Sequence, residues 1–168
     1  MPEVTIVRGG AELLAAVRPL WLAMRDHHHQ VVPEFGPVRD DEDSWGIRRT
    51  QYEAWLADGE SYILLARDDD GSAVGYAFAR VERGAGPTWM GPGHRIDLES
   101  LSVAPGARGR GIGSALLARV REDADRAGAE AIDVTAVAAN SEALRMYERA
   151  GFVPAFIVLR DTRRRPGA

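Results

Sequence analysis

The stretch best equipped for chemistry is Leu98-Glu-Ser-Leu-Ser-Val-Ala-Pro-Gly-Ala-Arg-Gly-Arg-Gly-Ile-Gly-Ser-Ala-Leu-Leu117. A strand-like run ends near Val103, glycines follow at 106, 109, 111 and 113, and a helical stripe begins. Backbone N–H groups at a helix start have no intrahelical acceptor, and glycines let a diphosphate come close to them. Glycines at alternate positions weaken a helix start, so an anion explains them better than a plain strand-to-helix turn does. Arg108 and Arg110 could assist with positive charge. Two other phosphate loops fail on their residues. A dinucleotide fingerprint needs glycine or alanine as its third small residue. Counting from Gly109 gives Gly111 and Ser114, and counting from Gly111 gives Gly113 and Leu116. A Walker loop needs a lysine, and none of the 168 residues is lysine.

Composition removes further chemistries. The chain has no cysteine, which excludes thiolate metal sites, disulfides and a cysteine nucleophile. All 21 basic residues are arginine, so no lysine is present as base or Schiff-base nucleophile. A net charge of −4 argues against nucleic acid as a partner. The start lacks a basic and apolar leader pattern, and no run of 18 apolar residues occurs. The expectation is a cytoplasmic protein with no membrane partner. His27-His28-His29 invites a metal, but adjacent helical residues point about 100° apart, and only His94 remains as a further nitrogen ligand. No metal is expected.

The elements that must position the loop follow from periodicity. Val4–Val7 reads as a strand. Leu13, Leu14, Val17, Leu20, Trp21 and Met24 form a helical stripe interrupted by Pro19, which predicts a kink or two short helices. Asp40–Asp43 opens a second helix with Trp45, Tyr52, Trp55 and Leu56 on its apolar face. Ser61–Ala66 and Ala73–Val81 are strands joined by an Asp-rich hairpin turn. Arg95–Val103 is a further strand, Gly111–Ala127 a helix capped by Gly128, Ala131–Val137 a strand, Ser141–Ala150 a helix and Phe152–Leu159 a closing strand. The chain reads as one domain over 1–168, with 163–168 as a disordered arginine-rich tail.

Two blocks resemble the GNAT superfamily of N-acetyltransferases. One is Arg108-Gly-Arg-Gly111-Ile-Gly113 after Leu101-Ser-Val103 and Pro105; the other is Asn140-Ser-Glu-Ala-Leu-Arg-Met-Tyr147-Glu-Arg-Ala-Gly151-Phe152. The order of elements matches as well. The resemblance implies an α/β fold with a mixed central sheet flanked by helices, ordered β-α-α-β-β-β-α-β-α-β, and a splayed parallel pair at 95–104 and 131–137. It implies acetyl-CoA as co-substrate. Amides of Arg108, Gly109, Arg110, Gly111, Ile112, Gly113 and Ser114 would hold the pyrophosphate. The edge of Leu101, Ser102 and Val103 would pair with the pantetheine amides, and Asn140 would bond the cofactor or the backbone near it. Tyr147 sits where the family uses a tyrosine to protonate the departing thiolate.

Acyl transfer to an amine also needs a base. An alkylammonium with pKa about 10.4 is only about 0.04% neutral at pH 7, equivalent to roughly 4.6 kcal/mol before attack. Glu99 is the candidate, with Asp97 second, both on one strand face at period two unless a bulge intervenes. The acidic cluster 40–43 beside aromatic helices suggests a cationic amine acceptor. A small-molecule or peptide amine remains open as the partner, as does a homodimer. The rival readings are an acyl-CoA-binding sensor and an interaction module on the same fold.

Overall fold

The structure, a computed structural model, describes residues 4–88 and 90–161. The expected tail at 163–168 lies outside them. In chain order the elements are β1 (Thr5–Gly9), α1 (Leu14–Val31), α2 (Asp41–Leu56), β2 (Tyr62–Arg67), β3 (Ala73–Arg83), β4 (His94–Val103), α3 (Ile112–Ala127), β5 (Ala131–Val134) and α4 (Ser141–Arg149). Single 3-10 turns precede α1, α2 and α3. The sheet runs β1-β2-β3-β4-β5, antiparallel except for the parallel β4–β5 pair. No described helix is long and apolar enough to cross a membrane.

Strand alternation builds two cores, one on each face. Leu64, Ala77, Ala79, Ile96 and Leu98 face α3, meeting Leu116, Leu117 and Val120. Ile63, Leu65, Tyr76 and Phe78 face the other way, meeting Val17, Leu20, Trp45 and Tyr52 of α1 and α2. Buried Asp123 on α3 ties the sheet's far edge to the helix through Arg8 of β1 at 3.5 Å.

Two local expectations change. Pro19 lies within an unbroken α1. A proline removes one backbone bond, but Leu14, Val17, Leu20 and Trp21 are buried on the same side and hold the helix together across it. The closing strand does not form: residues 152–161 have no regular structure, and the sheet has five strands among the described residues. Local β propensity needs an edge to pair with and a face to bury, and this segment takes neither.

Candidate functional site

The parallel pair meets only along Arg95–Leu98 opposite Ala131–Val134. Beyond Leu98, β4 continues to Val103 while β5 ends, so the β4 edge over 99–103 has no strand beside it. The glycine loop and the start of α3 lie directly after this open edge. Among the described residues, no acceptor faces the amides from Gly109 to Ser114. Gly109 and Gly111 take φ values of +76° and +79°, the left-handed region that side chains avoid, and a Cβ at either would meet open space. These two glycines shape the loop and leave its amides clear.

Gly113 differs. A Cβ there would lie 3.1 Å from Met146 Sδ, and 3.6 and 3.7 Å from side-chain carbons of Leu101 and Val103. It therefore also permits close approach of α3 to β4 and α4. Arg110 is tied by two 2.9 Å bonds to Asp68 on the β2–β3 turn. Its amide, not its guanidinium, is left for an anion. Arg108 is exposed, Ile112 is buried in the α3 core, and Ser114 lies at the mouth of a groove of about 230 Å³ between α3 and α4, flanked by Arg121 and Arg149. A larger open hollow of about 610 Å³ lies at the opposite, β1 edge of the sheet, lined by Arg8, Glu60 and Tyr62.

A β-bulge sets the other half of the cleft. Phe78 pairs with Ser100 and Ala79 with Leu98, which leaves Glu99 as the extra residue. Ile96 and Leu98 face α3, and so do Leu101 and Val103. Asp97, Glu99, Ser100 and Ser102 face α1 and α2, where Asp97 accepts from Arg80, Glu99 from Arg48, and Ser102 donates to the Leu20 carbonyl. The bulge thus puts Glu99 and Ser100 consecutively on one face and turns the rest of the strand over. Asp97 and Glu99 share that face, as period two requires on the near side of the bulge.

Arg48 is a residue of the candidate site that the sequence reading missed. Its guanidinium donates to Glu99 Oε1 at 2.6 Å and lies over the rings of Trp21 and Tyr52 at 5.6 and 5.3 Å. A signal existed: Arg48 stands on the same helical stripe as Trp45, Tyr52 and Trp55, where an apolar residue would be the default. Glu99 Oε2 has no partner among the described residues. Arg80 holds Asp97 at 2.9 Å and Glu82 at 2.7 Å. Burial pushes the Asp97 carboxyl above its ordinary range, with the Arg80 cation opposing and Glu99 adding to the rise. Beneath lies a buried hydroxyl cluster, with Tyr52 2.6 Å from Ser100 and 3.2 Å from Tyr76. Burial raises both tyrosine hydroxyls.

The acidic run at 40–43 is largely spent on structure. Asp40 accepts from the Asp43 amide as the N-cap of α2, Asp41 pairs with Arg25, and Glu42 pairs with Arg18. The carboxylates on the β4 face toward α1 and α2 are Asp97 and Glu99, each held by an arginine of its own, Arg80 and Arg48.

On the α3 side, Asn140 Oδ1 accepts from the Ala143 amide at 3.3 Å as the N-cap of α4, leaving its amide group free to donate. Tyr147 follows on α4, only 8% exposed, its ring edge-on to Phe152 at 5.6 Å. Burial alone pushes its hydroxyl up to about 12. That hydroxyl has no hydrogen-bond partner among the described residues. No group of three or more His, Asp or Glu among the described residues is arranged to hold a metal.

The profile of the acetyltransferase (GNAT) family matches residues 21–152. The chain is 34% identical over 100 residues to the mycothiol acetyltransferase of Clavibacter sepedonicus, covering 60% of this chain and 29% of that protein. It is 34% identical over 95 residues to the streptothricin acetyltransferase of Streptomyces lavendulae, covering 56% and 46%. The chain thus spans well under half the length of the mycothiol acetyltransferases it matches first. Among solved structures, a Bacillus halodurans protein superposes with a TM-score of 0.80 at 16% identity, covering 94% of this chain and 99% of that one. An aminoglycoside N-acetyltransferase in complex with CoA gives 0.70 at 21%, covering 98% and 97%. At such identities these structural likenesses are of fold alone.

Proposed function

The chain belongs to the acetyltransferase (GNAT) family, and from that premise we propose that it transfers an acetyl group from acetyl-CoA directly to a primary amine. The observation that carries the proposal is the run of unpaired amides from Gly109 to Ser114, opening beside the unpaired edge of β4. A diphosphate meets those amides and the positive end of the α3 dipole. The pantetheine arm runs along Leu101–Val103 as a substitute strand, and the Asn140 amide group donates to it from the α4 side. The groove flanked by Arg121 and Arg149 suits the remaining anionic end of the cofactor.

The acetyl carbon then lies near the bulge, between Tyr147 on one side of β4 and Glu99 on the other. The acceptor enters from the α1–α2 face. Glu99, held by Arg48 through Oε1, takes the ammonium proton on Oε2, directly or through water. The neutral amine attacks the thioester carbonyl, the attacking nitrogen gives up its second proton to solvent, the carbon–sulfur bond breaks, and an amide forms as CoA leaves as thiolate. Tyr147 donates a hydrogen bond to that sulfur. With its hydroxyl at about 12 and a free thiol near 8.5, full proton transfer is uphill by about 5 kcal/mol. Tyr147 therefore stabilises the thiolate as charge develops, and solvent supplies the proton. The chain has no thiol to carry an acetyl intermediate, which favours transfer within a ternary complex. The acetyltransferase names of the curated relatives support the same reaction class.

The test is CoA release measured against pools of amines, with acetyl-CoA binding followed separately by calorimetry. Amine-dependent release is the expected result. Tight acetyl-CoA binding with no release on any amine would establish a sensor in place of an enzyme.

A further inference from the structure

Arg48 uses only part of its guanidinium on Glu99. It donates through Nη1 alone, to Oε1. Arginines elsewhere in the chain close on their carboxylates with two bonds, Arg110 on both oxygens of Asp68 and Arg83 on both oxygens of Glu60. The Nε and Nη2 of Arg48 have no partner among the described residues, and the side chain keeps 26% of its surface exposed. The guanidinium lies across the rings of Trp21 and Tyr52, and Tyr52 is held in turn by hydrogen bonds of its hydroxyl with Ser100 and Tyr76. That platform orients the planar fork in advance, so its free N–H groups meet a ligand with little loss of freedom. Beside them Glu99 keeps Oε2 free. The pair thus presents a free carboxylate oxygen next to free N–H donors.

Charge balance points the same way. On the β4 face toward α1 and α2, Glu99 is matched by Arg48 and Asp97 by Arg80, while Glu82 beside them takes both Arg80 and Arg95. A polycation finds no unmatched carboxylate among these groups. Building on the acetyl-transfer reading, we propose that the acceptor is an amino acid, a small molecule whose ammonium meets Glu99 Oε2 and whose own carboxylate accepts from Arg48 Nε and Nη2. Such a zwitterion mirrors the Arg48–Glu99 pair with opposite sign, so each charge that leaves water gains a hydrogen-bonded partner. The products are an N-acetylamino acid and CoA. Arg48 is then the residue that selects the acceptor as well as the one that holds Glu99.

The test is CoA release from acetyl-CoA with matched acceptors: a panel of L-α-, β- and ω-amino acids, each beside its carboxamide, with spermidine as the polycation. For the best pair, kcat/KM should favour the amino acid by about 10–150-fold, the range for hydrogen bonds to a charged group. Arg48→Gln should bring that ratio close to one, and Arg48→Lys should retain part of it. A role confined to holding Glu99 lowers both members of a pair together, so an unchanged ratio in Arg48→Gln would overturn the proposal. A wild-type protein that turns over carboxamides or spermidine as well as amino acids would also overturn it, with no variant needed and with acetyl transfer itself left standing. No release on any amine would overturn the acetyl-transfer reading and this inference with it.

Discussion

Replacing Tyr147 by phenylalanine removes one oxygen from a ring that is otherwise packed. The hydroxyl has no protein partner among the described residues to leave stranded, and the edge-on contact with Phe152 survives the change. Stability should therefore move by less than about 1 kcal/mol. The catalytic cost is larger. A hydrogen bond to a charged group contributes roughly 1.5–3 kcal/mol, which corresponds to about a 10–150-fold loss in rate. The bond strengthens only as negative charge reaches sulfur, so the loss should appear in kcat, with acetyl-CoA affinity nearly unchanged. The pH profile supplies a second sign. Burial holds the hydroxyl up to about 12, so Tyr147 stays protonated across the usual assay range. It should contribute no alkaline fall in kcat below about pH 10. Steady-state and single-turnover kinetics on both proteins, with melting temperatures beside them, decide the matter. A variant within threefold of wild type when chemistry limits the rate would refute the role. So would a normal rate joined to a large drop in melting temperature, the mark of a packing tyrosine.

Glu99→Gln should lower kcat/KM by about 10²-fold, and Asp97→Asn by less than tenfold; stopped-flow CoA release that reversed this ranking would move the base to Asp97. Tyr52→Phe breaks the buried bond to Ser100 and should cost about 1–3 kcal/mol in urea denaturation, with kcat little changed. Arg110→Ala should alter CoA affinity by less than threefold in calorimetry, because Asp68 already holds that guanidinium; a loss above tenfold would mean that the side chain reaches the phosphates.

The glycine loop was legible because its signals are local: a strand end, alternate glycines and a helix start within one short stretch. The first nine elements were legible for the same reason, as periodicity records which face each buries. The bulge at Glu99 was not, since a register slip belongs to the pairing of β3 with β4 and leaves no mark in either sequence alone. Arg48 lies on α2, far along the chain from the residue it holds, and only its place on an apolar stripe hinted at it. The acidic run at 40–43 misled because its partners, Arg18 and Arg25, come from α1. The segment 152–159 has the composition of a strand, but composition cannot name the edge that receives it.

The central claim is that the amides at the start of α3 hold the diphosphate of acetyl-CoA. Titrating acetyl-CoA into isotopically labelled protein and following the backbone amide resonances of Gly109, Gly111 and Gly113 tests it most directly. Large saturable shifts at those glycines are expected, reproduced by CoA and absent with pantetheine, which lacks the diphosphate. Binding that left these amides unmoved, or equal shifts with pantetheine, would contradict the account.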